Sequence, residues 1–431
     1  MDRQPTNLSV VNFTQQEIPQ VIEDTKTRHQ YVPVGIIMPD DYFENLTESY
    51  MNSTTNAACV GGIADMIFGR GIYCENEAEK QAFARMLPQE DMKRVAFDLK
   101  LYGNACFQVY WNDEHTKIIK MYHTPVQNIR AEKLTKTPKI EGYYYCTDWK
   151  DQRAVRNKMR IPAFGTSNEK MELLYIKDYS PSHFYYSVPD WFPGVQFTFV
   201  EAELSNLHLN NIENGFLPLV MINMNNGIPA PEERATIEDM IMAKFTGTRN
   251  AGKFILTFND DKERMPTIDT IQTESLHEKY KYVSEYAQDR ILVAHRITSP
   301  LLMGIRTAVN GFSSNSEEMQ TAYSILQTMT IEPFQNLLLN QINKALMEGG
   351  WEDLGLYFEQ AIPSALLASQ AEKTGQTVEE VQKDIQEVGE NPAVTDTEGE
   401  GVSGEPGAET DLVPSMSSPN FSKEYEIYKN K

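Results

Sequence analysis

The sequence predicts an α+β protein in which long amphipathic helices flank a β-rich block and a smaller α/β insertion. Three observations predict it. Apolar side chains recur at three- and four-residue steps between Tyr280 and Leu346. Runs rich in β-branched and aromatic residues, such as NACFQVYW and KIIKMYHT, cluster between residues 104 and 124. A strand–helix–strand pattern over Phe216 to Thr267 lies between two long helical patterns.

The chain has 431 residues, 41% of them hydrophobic, enough for a sizeable core and for two to four structural modules. Its formal charge of −22 argues against a tight, sequence-specific nucleic-acid binder, whose surface is usually basic. That charge is compatible with enclosing DNA without gripping it. No run approaches the ~18 apolar residues of a membrane span, and the first thirty residues lack an apolar signal core. The expected compartment is a cytoplasm. Cys59, Cys74, Cys106 and Cys146 are too dispersed for a zinc-type pair, so buried free thiols are expected.

Residues 1–38 are polar and rich in Pro, Thr and Gln, the composition of an arm on a neighbour or a segment without fixed structure. From Asp40 to Phe68 a helical reading ends in NAACVGGIADMIFGRGI, with Gly69-Arg70-Gly71 as the exit. Two amphipathic helices, Glu75 to Arg85 and Gln89 to Leu101, follow around Pro88. Asn112 to His115 is a hairpin turn between two strands. VQNIRAEKL and KIEGYYYCTDW are expected to extend that sheet, residues 150–171 to form a basic inserted loop, and MELLYIKDYS to return to strand.

YYSVPDWFPGVQ leads into a long helix with Phe197, Val200, Leu204 and Leu207 on one face, stopping at Asn214-Gly215. The insertion comprises the strand FLPLVMINM, a helix from near Pro231 and the strand KFILTF. Glu274 to Arg296 makes the return helix, with Tyr280, Val283, Ala287, Ile291 and Ala294 as its stripe. Thr298-Ser299-Pro300 ends it, because the residue before proline is driven out of the α region. A polar loop, Arg306 to Asn315, carries the turn signal Asn310-Gly311. Ser314 and Glu317 form a capping-box pattern, and Met319, Ala322, Leu326 and Met329 mark the next buried face. Pro333 predicts a kink, after which Phe334, Leu338, Ile342 and Ala345 continue the stripe to Gly349-Gly350. Residues 371–431 hold 14 acids against 5 bases, a net of −9, which predicts disorder.

The order of these pieces, with ILVAHRITSPLLMGI and NGFSSNSEEMQTAYSILQTMTIEPFQNLLLNQIN, resembles the portal proteins (head-to-tail connectors) of tailed bacteriophages. The resemblance spans about residues 40–360 and is densest from 280 to 345. It implies an N-terminal arm (1–38), a wing (39–189), a first stem helix (190–215), a clip (216–270) and a second stem helix (271–297). A tunnel loop (298–315), a long kinked helix returning to the wing or crown (316–362), and short crown-like helices with an acidic disordered tail (363–431) complete it. The step Pro125 to Arg130 and the approach to Trp191 are similar to the family's, although Ser187 stands where glycine is usual.

The resemblance implies a closed ring, typically twelve-fold, at the portal vertex of the virion, assembled in the bacterial host cytoplasm. Double-stranded DNA would be packaged and ejected through its channel without sequence specificity. The clip would dock the terminase large subunit and then the head–tail adaptor proteins, and the wing would meet the major capsid and scaffold proteins. Arg306, Thr307, Asn310 and Ser313 would face the channel and touch phosphates loosely. Without the resemblance, that loop reads as an ordinary surface connector. Tyr282 and Tyr286, outside the main stripe, suit a second face toward a neighbouring subunit.

Catalysis finds no support in the motifs, and neither a cofactor nor a metal is expected. Gly247-Thr248-Arg249-Asn250-Ala251-Gly252-Lys253 matches the start of a phosphate-binding loop, but Phe254 replaces the required Ser or Thr and the expected order is helix–loop–strand. Gly247, Asn250, Gly252 and Lys253 are instead expected to form the clip turn, which resembles a Gly-x-x-Asn-Ala-Gly-Lys-like turn of portal sequences. Acid pairs such as Asp40-Asp41 and Asp260-Asp261 read as solvated faces, and His295 as a packing or capping residue. Two alternatives to the portal reading stay open: another virion component, such as an adaptor or minor capsid protein, and a nucleotide-binding enzyme using Gly247–Lys253.

Overall fold

A three-stranded antiparallel sheet divides the folded body into two apolar layers. The computed structural model of the chain describes residues 20–135, 137–213, 219–224, 254–258, 267–271, 276–305 and 316–361, with the single positions Thr236 and Thr377. The dividing sheet has the order β5-β4-β9, from β4 (Asn104–Trp111), β5 (Ile118–His123) and β9 (Met171–Lys177). Its hairpin turns at residues 112–115 as the sequence predicts. Ala105, Phe107 and Val109 on alternate positions of β4 face one apolar cluster, while Cys106 between them faces another. A strand buried on both sides explains why NACFQVYW reads as a nearly continuous apolar run.

The first cluster packs the sheet against α2 (Thr54–Phe68) and α4 (Gln89–Tyr102). The second packs it against α1 (Tyr42–Asn52) and a separate sheet, β6-β7-β8, from β6 (Ile129–Ala131), β7 (Gly142–Tyr145) and β8 (Met159–Pro162). Here the structure corrects the sequence. These strands do not extend the first sheet, and residues 150–171 are not one loop: they hold α5 (Gln152–Arg156) and β8. The basic composition of this stretch hides one buried apolar step, Ile161-Pro162-Ala163.

The expected arm also changes. Residues 31–36 are built into the second cluster, with Val32 and Val34 fully buried, and β2 (Val34–Gly35) pairs with β1 (Ile22–Glu23). Tyr31 and Val32 are tied to the body by the bridge Tyr31↔Glu132 and the bond from Val32 N to Ala131 O. The single helix expected over 40–68 is two, because Ser53 adopts an extended conformation and caps α2 through its hydroxyl. Residues 75–79 precede α3 (Lys80–Met86) rather than beginning it. Asp40-Asp41 is no solvated pair. Asp41 is buried and accepts from the backbone N–H groups of Ile36, Ile37 and Met38, while Asp40 binds Arg130 at 2.6 Å.

Two long helices, α6 (Val195–Glu213) and α7 (Leu276–Ala294), run antiparallel, since Phe197 meets Tyr286 and, further along, His208 meets Tyr280. Between them in sequence lies a small sheet of order β11-β10-β12, formed by β10 (Leu219–Met224), β11 (Phe254–Phe258) and β12 (Thr267–Ile271). β10 and β11 are parallel, a pairing that needs a crossover connection rather than a tight hairpin, and β12 is a strand the sequence reading missed. Of the helix expected from Pro231 only Thr236, in helical conformation, is described, and the stop at Asn214-Gly215 lies outside the described residues. On α7, Ala287 and Ile291 are buried as expected, but Val283 is exposed.

The last helical stretch joins α8 (Ser316–Leu326) to α9 (Glu332–Glu348) through a π-helical turn, Gln327–Ile331. The Glu332 N–H reaches back to Gln327 O, five residues away. The cause lies in phase. Each helical residue turns by about 100°, so the stripe of Ala322 and Leu326 would return at position 337, whereas the stripe beyond uses Leu338, Ile342 and Ala345. One extra residue in a wide turn realigns the two. Met329 therefore points out, not in as its spacing suggests, and Thr330 and Ile331 take the buried positions. Pro333 lies just past this turn, and the helix continues through it. Beyond Trp351 the chain adds β13 (Leu356–Glu359), unforeseen from sequence, antiparallel to β3 (Gly71–Cys74).

Candidate functional site

The 306–315 loop, with Arg306, Thr307, Asn310 and Ser313, lies outside the described residues, and so does the 247–253 turn with Gly247, Asn250, Gly252 and Lys253. Pro333 is the one candidate residue that the structure describes. What the structure does show is the mount: how the two long helices and both ends of the 306–315 segment are tied to the body.

The α6–α7 pair rests on a buried polar cluster. At its foot the helices touch so closely that a Cβ on Gly194 would lie 2.6 Å from Ala294 Cβ. One residue beyond α7, His295 is fully buried and stacks on the Trp191 indole, with centroids 5.5 Å apart and planes 16° apart. Its Nε2 lies 2.8 Å from Asn56 Oδ1 of α2. Burial, and secondarily the nearby Lys100 ammonium, holds its imidazole well below the usual histidine value, so it is neutral. The Trp191 Nε1–H donates to Lys100 O at 3.0 Å.

Lys100 itself is fully buried on α4 and donates to both carboxylate oxygens of Asp190, at 2.8 and 2.9 Å. Its Nζ also lies 5.5 Å from the Phe334 ring centroid. Burial pulls the ammonium down from its ordinary value, with Asp190 opposing. One buried charge pair thus ties α4 to the segment that starts α6.

A carboxylate adds a second tie. Glu201 of α6 accepts from the Ser53 hydroxyl, from Thr54 Oγ1 at 2.7 Å and from Thr55 Oγ1 at 2.9 Å. A negative group at the start of α2 meets the positive end of that helix dipole.

The near end of the loop is anchored by a 3₁₀ turn, Pro300–Met303, which ends at Gly304 with φ +71°. Leu302, Met303 and Ile305 pack on the first cluster. Met303 lies over Gly62 of α2, where an added Cβ would meet its sulfur at 2.6 Å. At the far end Ala322 and Leu326 are buried. The described residues on either side of 306–315 are therefore anchored on one body.

Among the described residues, no group of three or more His, Cys, Asp or Glu could hold a metal ion. The residue after Lys253 opens strand β11, so no helix N-terminus follows that turn as a phosphate-binding loop requires. Sequence reasoning missed Asn56, Lys100, Asp190 and Glu201. The approach SVPDWFPG carried the one usable signal, Trp191 beside an acid.

The sequence matches no protein-family model and no curated protein. In fold, solved structures do match. A chain of the "Neck of native GTA particle computed with C12 symmetry" aligns with TM-score 0.51 and 15% identity over 83% of this chain and 91% of its own. A chain of the virion of the native gene transfer agent particle aligns with TM-score 0.52 and 14% identity, covering 78% and 88%. The fold is one found in gene transfer agent particles. A chain from the neck of the empty particle, computed with C6 symmetry, gives TM-score 0.51 and 15% identity over 78% and 90%. The likeness spans 88–91% of the length of those chains.

Proposed function

We propose that this chain is a ring-forming structural component at the head–tail junction of a tailed-phage-like particle, and within that class the portal. The observation that carries the reading is the fold shared with neck chains of particles reconstructed with sixfold and twelvefold symmetry. The antiparallel α6–α7 pair with a small sheet between them in the chain supports the finer part, since it has the order of stem, clip and stem. On this reading the clip docks the terminase large subunit during packaging and adaptor proteins afterwards, and the wing meets the shell and scaffold proteins. DNA slides past the 306–315 loop. A chain of charge −22 repels the phosphates and keeps the duplex central, while a few weak, salt-sensitive contacts suffice at the loop.

The test is negative-stain electron microscopy of the purified full chain, with top views classified. Closed rings with an opening wide enough for duplex DNA are expected. Monomers or compact dimers across protein and salt concentrations would sink the reading. Closed rings too narrow for DNA would favour an adaptor or minor capsid protein.

A further inference from the structure

We infer that copies of this chain meet head to tail through two oppositely charged poles placed off opposite edges of the β5-β4-β9 sheet. The inference rests on the ring reading above and names the surfaces that would close the ring. In a chain of net charge −22, residues 133–170 hold nine Lys and Arg against four Asp and Glu. Some of these cations are satisfied within the subunit: Lys150 pairs with Glu44, Arg160 with Glu132 and Lys170 with Asp113. Lys139, Arg153 and Arg156 are exposed, with no ion-pair partner among the described residues. Lys158 beside them rests on the Tyr144 ring, 5.3 Å from its centroid. This basic pole belongs to α5 and the β6-β7-β8 sheet, which joins the β9 edge of the dividing sheet through the bridge Ala163↔Leu173.

The acidic pole lies beyond the other edge. Glu75, Glu77, Glu352 and Asp353 are exposed, with Glu79 half-buried near them, and Lys80 offsets one through Glu77. The two stretches are brought together where Glu75 N bonds to Leu354 O. Next to this corner α3 is fastened to β5, the opposite edge strand, by Lys120 Nζ donating to Arg85 O at 2.7 Å.

A closed ring needs two different, mutually complementary faces on every subunit. Poles of opposite sign off opposite sheet edges meet that requirement. A single exposed ion pair is weak, but a cluster repeated at every joint steers encounter and sets the direction of assembly.

The test uses charge reversal in the full chain. One variant carries Arg153→Glu and Arg156→Glu, the other Glu77→Lys and Glu79→Lys, with folding checked by circular dichroism. Wild-type rings are expected by mass photometry, and each variant alone should need about tenfold more protein to assemble. An equimolar mixture should restore rings, because the reversed poles complement each other and the unreversed poles still match. If either variant assembles like the wild type, or if folded variants fail to assemble when mixed, the inference is overturned. A wild type that stays monomeric in every salt overturns the ring reading itself, and this inference with it.

Discussion

His295 Nε2 lies 2.8 Å from Asn56 Oδ1, joining the end of α7 to α2 across 239 residues of sequence. Through that bond and the stacked Trp191, whose indole N–H donates to Lys100 O, the foot of the long-helix pair is held on α2 and α4.

Stability should carry a histidine signature in mildly acidic solution. His295 is held neutral in the fold, whereas in the unfolded chain it takes up a proton near its ordinary value of 6.5. Below that pH the unfolded state binds the extra proton, so its contribution is fully present above about pH 6.5. It is lost as pH falls, by up to about 1.4 kcal/mol per pH unit until the depressed folded value is reached. His295→Gln should flatten this slope. Thermal melts of both proteins between pH 5 and 8, if parallel, would contradict the assignment.

Asp190 and Lys100 should respond unequally to truncation. Removing the carboxylate in Asp190→Ala strands a fully buried ammonium and should cost about 3–5 kcal/mol. Lys100→Met leaves an acid that retains some solvent contact and fills the space with apolar atoms, so a smaller loss is expected. Urea unfolding would read both, and equal losses would show that the pair is not asymmetric in this way.

The wide turn before Pro333 yields a cycle of variants. Deleting Met329 restores continuous α-helical phase but brings the proline ring against a carbonyl one turn back, at a cost of about 3 kcal/mol. Pro333→Ala alone should change stability by less than about 1 kcal/mol, and combined with the deletion it should recover most of the loss. Additive losses in denaturant melts would rule out that coupling.

All four cysteines are free and buried. Burial pushes the Cys59 thiol up to about 12 and that of Cys106 well above its ordinary value. A thiol-titrating reagent should therefore react slowly with the native protein and find four thiols in denaturant. A fast-reacting native thiol would contradict this packing.

Much of the fold was legible because its signals are local. The helix from Gln89, the turn after Trp111 and the α7 stripe around Ala287 and Ile291 need only a few neighbouring residues to declare themselves. The buried free thiols were legible too. The second sheet was not, because β6 and β7 are short and β8 sits in a basic stretch whose exposed side chains dominate its composition. The fate of residues 31–36 was hidden for a related reason: Val32 and Val34 are buried by residues that lie a hundred positions away. As for the candidate sites, the loop and clip residues remain sequence expectations, and the structure adds the ties that hold their supports.

The sequence by itself determined the class of the fold, the order of its long helices and the disfavouring of a phosphate-binding turn at Lys253, since periodicity and motif spacing are properties of neighbouring residues. Tertiary structure alone decided that Lys100 and Asp190 form a buried pair, that Met329 faces outward, and that the basic and acidic stretches flank opposite edges of one sheet. Those outcomes depend on which distant segments share a core. Desolvation and packing then set the charge state of a histidine and the register of a helix, and no local pattern encodes either.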